Sequence, residues 1–458
     1  MSDFVKSICD YGGEVYVVGG AIRNYLYNKY HNAKIKIKDY DFLVRLVKQD
    51  ELIIILEKSG TIKEVGQSFG IILYTPFESK NIIEIALPRT ETSTGARYKD
   101  FEIVSNETIS LKEDFSRRDA TINAMAFQIY SLEDLKLFDS SIDSIGSINL
   151  TESLIDPFGG FEDIKNKKWK CVGDPEKRFI EDPTRIMRAF RQSSELNLTL
   201  ESNTMNSIKN NYKIMCNLIP QSYVRLYNEF FRMLDTNDYI VNLKIMYEIG
   251  ILKILGIDNV NLNKLNDYAK SNTLLNNFLE NSDIINNQLL FKFANLLKVQ
   301  EMKSNIKLWC NEKQIGATNY FTKKTLNILV SIQLHYNSII LVESKYQLLK
   351  IIEKIYKMFL SEYYDIVKHI ICYALLNGDL TIENTLKLIK FTIDVKDYPP
   401  STDQLIIDGN KMMKLWNIEG KQIKIIKDKL LDNIFNDKCI NSYDSLFDKI
   451  TEIVSNQN

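Results

Sequence analysis

A chain of 458 residues, 45% apolar and 26% charged, is more than one compact core fills, and two to four domains are expected. Its 58 basic and 59 acidic side chains leave a net charge of −1, so a polyanionic partner must be met by a local basic surface rather than by overall charge. No stretch approaches the roughly 18 uninterrupted apolar residues of a membrane span, the segment 1–12 lacks the layout of a secretory or transit signal, and Cys9, Cys171, Cys216, Cys310, Cys372 and Cys439 form no CxxC pair. A membrane partner, a disulfide framework and a zinc site are therefore not expected, and a soluble, cytoplasmic protein is.

From about residue 14 to 138, short β-rich runs alternate with turn signals, the pattern of a mixed α/β sheet. The first run, "EVYVV", leads into Gly19 and Gly20 and then a predicted helix carrying Arg23 in its first turn. A glycine pair at a strand-to-helix turn lets backbone N–H groups approach an anion, and the helix N-terminus adds partial positive charge. The feature suits a triphosphate or is an ordinary tight turn. The next run, "KDYDFLV", places Asp39 and Asp41 one residue apart, hence on one face of a predicted strand. Two carboxylates so placed repel unless a cation lies between them, and Mg²⁺ commonly binds through one or two carboxylates plus substrate phosphates. Alone, the pair also fits a solvated strand edge. Glu84, in "IIEIALPR", lies on a later predicted strand as a further ligand or as the partner of a basic group.

The segment 89–102, "RTETSTGARYKDFE", has the composition of a mobile loop. In "SRRDATINAMA", a helix would put Asp119 and Asn123 on one face with Arg118 just before them, groups able to bind a ribose hydroxyl and a phosphate or to cap and brace a helix. After about residue 156 the pattern turns helical. In "EDPTRIMRAFR", Asp182 is the expected N-cap, Pro183 the first helical residue, and Arg185, Arg188 and Arg191 recur every third position. An acceptor carboxylate and a donor guanidinium one turn apart can imitate the edge of a base. C and A carry an amine beside an acceptor, whereas G and U present the reverse, so Asp182 and Arg185 suit C and A; a capped helix with ion pairs is the plain alternative.

Helices are predicted over 223–236, 289–299, 346–360 and 364–377. The basic stretches 165–170, 295–309 and 421–429 are candidate nucleic-acid surfaces or solvated helix faces, and aromatic runs such as "YVRLYNEFF" fit a core better than a base-stacking platform.

The ordered set "VVGGAIR", "KDYDFLV", "IEIALPRTE", "SRRDATINAMAF", "DPFGGFEDI" and "FIEDPTRIMRAFR", spread over roughly residues 14–195, resembles the class II tRNA nucleotidyltransferase and bacterial poly(A) polymerase family. The stretch "LIIDGNKMMKLWNIEGKQIKIIKDKLLDNIFNDKCIN" is similar to the C-terminal segment of its CCA-adding members. The resemblance implies an α+β chain: a polymerase-beta-like mixed-sheet head over 1–155, a helical neck with the nucleotide-base template over 156–255, a helical body over 256–390 and a tRNA-binding tail over 391–458, elongated as a whole. It implies addition of CCA, or its CC or A part, to the 3′ end of tRNA from CTP and ATP, by two-metal phosphoryl transfer with Mg²⁺. Asp39 and Asp41 would hold the metal, with Glu84 as a further catalytic acid. Gly19, Gly20 and Arg23 would hold the triphosphate; Arg118, Asp119 and Asn123 would select the ribose. Glu181, Asp182 and Arg185 would form the base template, with Arg188 beside them. The segment 89–102 corresponds in position to a loop that helps such enzymes change from C to A, which favours a complete CCA-adding or an A-adding enzyme. A poly(A) polymerase of the same superfamily is the near alternative, and a non-catalytic RNA-binding protein on this fold the distant one. Two departures stand out: Gln192, where the family usually has an aromatic or hydrophobic residue, and Asn24, where an acid is common. The histidines, His31, His335 and His369, form no paired His-Asp motif, so phosphohydrolase activity is not expected. The oligomeric state is left open.

Overall fold

Val15, Val17 and Val18 are all buried, and this continuous apolar run forms β1 (Glu14–Val18), an inner strand covered on both faces. It pairs antiparallel with β2 (Asp41–Arg45) on one side and with β8 (Ala126–Ile129) on the other. Beyond β2 the sheet continues through β5 (Ile83–Ala86), parallel to β2, then β4 (Ile71–Pro76) and β3 (Gly60–Val65); beyond β8 it ends at β9 (Leu154–Ile155). A separate hairpin joins β6 (Arg89–Ser93) to β7 (Phe101–Ser105). The computed structural model describes residues 3–37, 39–65, 71–93, 101–138, 153–217, 220–236, 238–257, 306–307, 310, 313, 318, 322–359, 363–376, 379–418 and 420–456. The chain forms two compact units, Met1–Leu255 and Gly256–Asn458.

Alternation along the strands decides which residues reach the site. Helix α1 (Phe4–Asp10) covers one face of the sheet, with Phe4 packed edge-on against Phe42 and Tyr74 at 5.3 and 5.4 Å between ring centroids. On the opposite face Tyr16, Val18, Leu43 and Ala126 pack with Leu111 and Phe115 of α4 (Leu111–Ser116). Asp41 pairs with Val18, so it belongs to the α4 side, at the point where β1 runs into Gly19 and helix α2 (Gly20–His31). Helix α3 (Gln49–Glu57) lies beside β3.

Two local expectations differ from the fold. The ladder between β1 and β2 stops at Val18 and Asp41, because β1 turns away at Gly19; Asp39 therefore has no strand to pair with and sits in irregular chain just ahead of β2. Residues 119–123 are not an α-helix. Their backbone groups are taken up by the segment 170–172: Ala120 bridges Cys171, Thr121 N–H donates to the Lys170 carbonyl at 2.9 Å, and a single 3-10 turn covers Thr121–Asn123. This turn is pressed against α5 (Gly160–Lys165), where a Cβ on Gly160 would stand only 2.2 Å from the Thr121 carbonyl oxygen. The "FGG" stretch is thus a close backbone approach, fixed by Asp156, whose carboxylate accepts from the N–H groups of Gly160 and Phe161 at 2.8 and 2.9 Å.

The rest of the first unit is helical apart from the two-residue strands β10 (Lys168–Trp169) and β11 (Thr199–Leu200). Its helices are α6 (Pro175–Glu181), α7 (Thr184–Glu195), α8 (Ser202–Asn211), α9 (Pro220–Leu234), α10 (Tyr239–Ile249) and α11 (Ile251–Ile254). Helix α7 packs against α9 and α10 through Ile186, Met187, Ala189 and Phe190, all fully buried. The second unit comprises α12 (Lys323–Ile340), α13 (Lys345–Phe359), α14 (Tyr363–Leu376), α15 (Ile382–Asp394), α16 (Gly409–Trp416), α17 (Lys421–Phe435) and α18 (Tyr443–Ser455) among the described residues. A mixed-sheet head followed by helices is the expected fold class. No described helix is long and apolar enough to cross a membrane. The helix predicted over 289–299, nearly all of the basic stretch 295–309 and the middle of the segment 89–102 lie outside the described residues.

Candidate active site

A cavity of about 670 Å³ opens in the first unit where β1, β2 and β5 end against the polar side of α7. Nine arginines and five carboxylates line it, an excess of positive charge suited to a polyanionic ligand. Of the residues singled out from sequence, Gly19, Gly20, Arg23, Asp41, Glu84, Arg118, Asp119, Asn123, Asp182, Arg185 and Arg188 all line it. Asp39 and Glu181 do not. Glu181 turns away to pair with Arg178.

The glycine turn is conformationally demanding. Gly19 has φ of 71° and ψ of −126°, in the region that glycine alone adopts without strain, and a Cβ there would lie 3.1 Å from an Arg118 guanidinium nitrogen. Arg23 donates to Asn123 Oδ1 at 2.6 Å and to Asn24 Oδ1 at 3.0 and 3.1 Å. Burial pulls the Arg23 pKa down to about 10, so the guanidinium stays charged at neutral pH. Arg118 is likewise lowered by burial; its Nη1 donates to the Asn123 carbonyl at 2.9 Å, while its Nε–H is buried with no acceptor among the described residues. An anion at the glycine turn would supply one.

Parallel pairing of Phe42 with Ile85 sets Asp41 beside Glu84 on the neighbouring strand. Asp41 is open to the cavity, yet the surrounding protein desolvates it, and the like charges of Glu84 and Asp39 add to that effect, so its pKa is raised. The Arg118 and Arg23 charges offset this in part, and the repulsion that remains among hard carboxylate oxygens is what a divalent cation would neutralise. Among the described residues no group of three or more His, Cys, Asp and Glu side chains is already gathered closely enough to hold a metal ion. Asp41 and Glu84 fit Mg²⁺ as one or two protein ligands, the remainder coming from phosphates and water.

Across the cavity, Asp119 is buried and anchors a polar cluster. Its Oδ1 accepts from Ala120 N–H at 2.9 Å and Asn123 Nδ2 at 2.8 Å; its Oδ2 accepts from Arg188 Nε at 2.8 Å and Gln192 Nε2 at 2.9 Å. Burial alone would raise its pKa, but the Arg188 charge, these hydrogen bonds and the Arg185 charge outweigh it and hold the carboxyl well below the usual range. Asp119 in turn raises the pKa of Arg188.

Pro183, not Asp182, is the N-cap of α7, which begins at Thr184; Asp182 lies one residue further out, ending α6 in an extended conformation, and its Oδ1 accepts from Thr184 N–H at 3.0 Å and Thr184 Oγ1 at 2.6 Å. Its other oxygen faces Arg225 at 3.9 Å. Arg185, nearly buried, donates to the Arg118 carbonyl at 3.2 Å. An acceptor and a donor thus stand one helical turn apart on the cavity wall.

Several lining residues were not singled out. Arg225 and Arg232 come from α9, whose aromatic-rich sequence reads as core; with Glu229 they sit at i, i+4 and i+7, one helix face, which is the signal that could have revealed them. Glu229 pairs with Arg191 and, at 3.7 Å, with Arg188, and Arg232 pairs with Glu195 at 3.0 Å, so α9 braces the arginines of α7.

Residues 15–170 match the poly A polymerase head domain. The chain is 31% identical over 232 residues to the CCA-adding enzyme of Lactobacillus helveticus (strain DPC 4571), covering 50% of this chain and 48% of that protein. It is 31% identical over 245 residues to the Multifunctional CCA protein of Shewanella denitrificans, covering 53% and 50%. The matched region thus spans about half the length of these curated relatives. The fold is similar to that of the Bacillus stearothermophilus CCA-adding enzyme in complex with CTP, with a TM-score of 0.66 and 19% identity over 99% of this chain and 96% of that one. It is also similar to the Thermotoga maritima CCA-adding enzyme complexed with tRNA_CCA, with a TM-score of 0.59 and 18% identity over 98% and 94%. At these identities the structural likeness is one of fold.

Proposed function

We propose that the chain, whose residues 15–170 match the poly A polymerase head domain, is a member of the class II tRNA nucleotidyltransferase and bacterial poly(A) polymerase family and adds CCA, or its CC or A part, to the 3′ end of tRNA from CTP and ATP. One observation carries the proposal: the glycine turn, the Asp41–Glu84 pair and the Asp182–Arg185 pair open into one cavity. A nucleoside triphosphate with its Mg²⁺ would match all three, through its phosphates, its metal and its base.

In this reading the glycine turn, whose Gly19 N–H donates to the Met125 carbonyl at 3.3 Å, presents the Gly20 N–H at the helix start, and this with Arg23 and Arg118 holds the triphosphate. Arg118, Asp119 and Asn123 set the ribose. Asp182 accepts from the exocyclic amine of C or A, and Arg185 donates to the neighbouring ring acceptor, so no nucleic-acid template is needed. The tRNA 3′-hydroxyl oxygen attacks the α-phosphorus; the new P–O bond forms as the bond to pyrophosphate breaks, and the hydroxyl proton leaves to solvent. Asp41 and Glu84 would hold Mg²⁺ for two-metal chemistry, which would supply charge neutralisation for the attacking and leaving oxygens; Asp39, the other acid of the sequence pair, stands outside the cavity. The arginine-rich wall draws the polyanionic triphosphate to the cavity floor.

The test is extension of a tRNA ending at the discriminator base, resolved to single nucleotides, with CTP alone, ATP alone and both. Two additions with CTP and a third only with ATP are expected. Asp41→Ala abolishes extension, by about a thousand-fold or more, while RNA binding persists. Full turnover in that variant refutes the metal-binding role; a long A ladder moves the protein to the poly(A) polymerases.

A further inference from the structure

Gln192 is fully buried in a polar cluster at the cavity wall, and every polar atom of its amide is used. Its Oε1 accepts from Trp169 Nε1 and from Asn123 Nδ2, both at 2.9 Å; its Nε2 donates to Asp119 Oδ2 at 2.9 Å. The amide orientation is therefore dictated by its neighbours: turned over, it would set its NH₂ against two donors and its oxygen against a carboxylate. Trp169 is itself fully buried, so this anchor is fixed from outside the cavity.

The cluster transmits that fixed point. Asn123 has both Nδ2 hydrogens engaged, by Asp119 at 2.8 Å and by Gln192, which directs its Oδ1 to Arg23. Asp119 is held between Asn123 and Arg188 by the same amide. A hydrophobic residue at 192 would leave the Trp169 N–H unpartnered and remove one bond from each of Asp119 and Asn123. Resting on the proposed function, we propose that Gln192 is a positioning residue that sets the Asp119–Asn123 pair against the ribose, so that this enzyme's preference for ribonucleotides depends on an amide at position 192.

The experiment measures kcat and KM for CTP and for dCTP with the full chain and tRNA, alongside thermal unfolding. Gln192→Met keeps the length and removes the hydrogen bonds. The preference for CTP over dCTP falls by about five- to ten-fold, the worth of one or two hydrogen bonds, through a higher KM for CTP with that for dCTP little changed. Gln192→Glu keeps an acceptor for Trp169 and Asn123 but sets a second carboxyl against Asp119. Protonated, it donates as the amide does; ionised, it repels. Its CTP preference is therefore restored as pH is lowered, a dependence absent from the wild-type preference. A merely structural role would lower CTP and dCTP turnover by the same factor and give no pH-dependent rescue, and that result overturns the inference alone. Absence of CTP turnover by the wild-type protein overturns the functional proposal, and this inference with it. If Gln192→Met fails to fold, the pH profile of Gln192→Glu decides.

Discussion

Helices α7 and α13 look alike as amphipathic patterns, yet they treat charge in opposite ways. On α13, Leu348, Leu349, Ile352 and Ile355 are buried while Lys350 and Lys357 stay 36% and 61% exposed, paired with Glu353 one turn away and, for Lys350, with Asp432. On α7 the charged side faces the cavity: Arg191 is 6% and Arg188 35% exposed in the side chain, and their partners include Asp119 and Glu229 from other segments. Lysine suits the first setting, a compact and well-hydrated charge on a flexible stem; arginine suits the second, because its planar fork meets several acceptors with little loss of hydration. Charge on α7 is thus held mainly by partners remote in sequence, with Glu195 as a neighbour of Arg191, whereas charge on α13 is largely held by neighbours. The first arrangement is the more costly to assemble and suits the base-reading role proposed above.

The comparison can be broken at several points. The largest effect is expected at Asp119. Asp119→Ala strands Arg188 and two amides, costing about 3 kcal/mol in thermal or denaturant unfolding and removing nucleotide addition. The carboxyl is held below its usual pKa, so its stabilisation is present above the unfolded value of about 3.9 and is lost as pH falls through the folded one. The wild-type protein should therefore lose more stability than the variant on acidification, measured by unfolding at a series of pH values. Arg185→Ala should cost about 10- to 100-fold in kcat/KM for CTP and ATP, with a smaller effect on stability. Lys350→Ala on α13 should change stability by less than about 1 kcal/mol and leave nucleotide addition unchanged. Equal stability losses at Asp119 and Lys350 would erase the distinction between the two helices.

What could be read in advance follows the same division. Local signals were sufficient for the glycine turn, for Asp41 on a strand and for the Asp182–Arg185 spacing, because each depends on residues within one turn or one strand. Asp39 was misplaced because the end of its strand is decided by the departure of β1 at Gly19, a partner more than twenty residues earlier. The helix expected over 119–123 gave way to pairing with 170–172, which no local propensity announces. Arg225 and Arg232 stayed hidden because they matter only once α9 has packed on α7. Gln192 was visible as a departure from the family pattern, but its three partners come from two other segments, Asp119 and Asn123 from one and Trp169 from the other.

The central claim is that protein side chains on α7 and at its start read the incoming base. The most direct measurement is incorporation of CTP, ATP, GTP and UTP, each alone, on tRNA ending at the discriminator base and on tRNA ending in CC, by the wild-type protein and by Asp182→Ala. The account predicts that the wild type accepts CTP on the first substrate and ATP on the second and rejects GTP and UTP, and that the variant loses this discrimination. Equal use of all four nucleotides by the wild type, or unchanged selectivity in the variant, would contradict it.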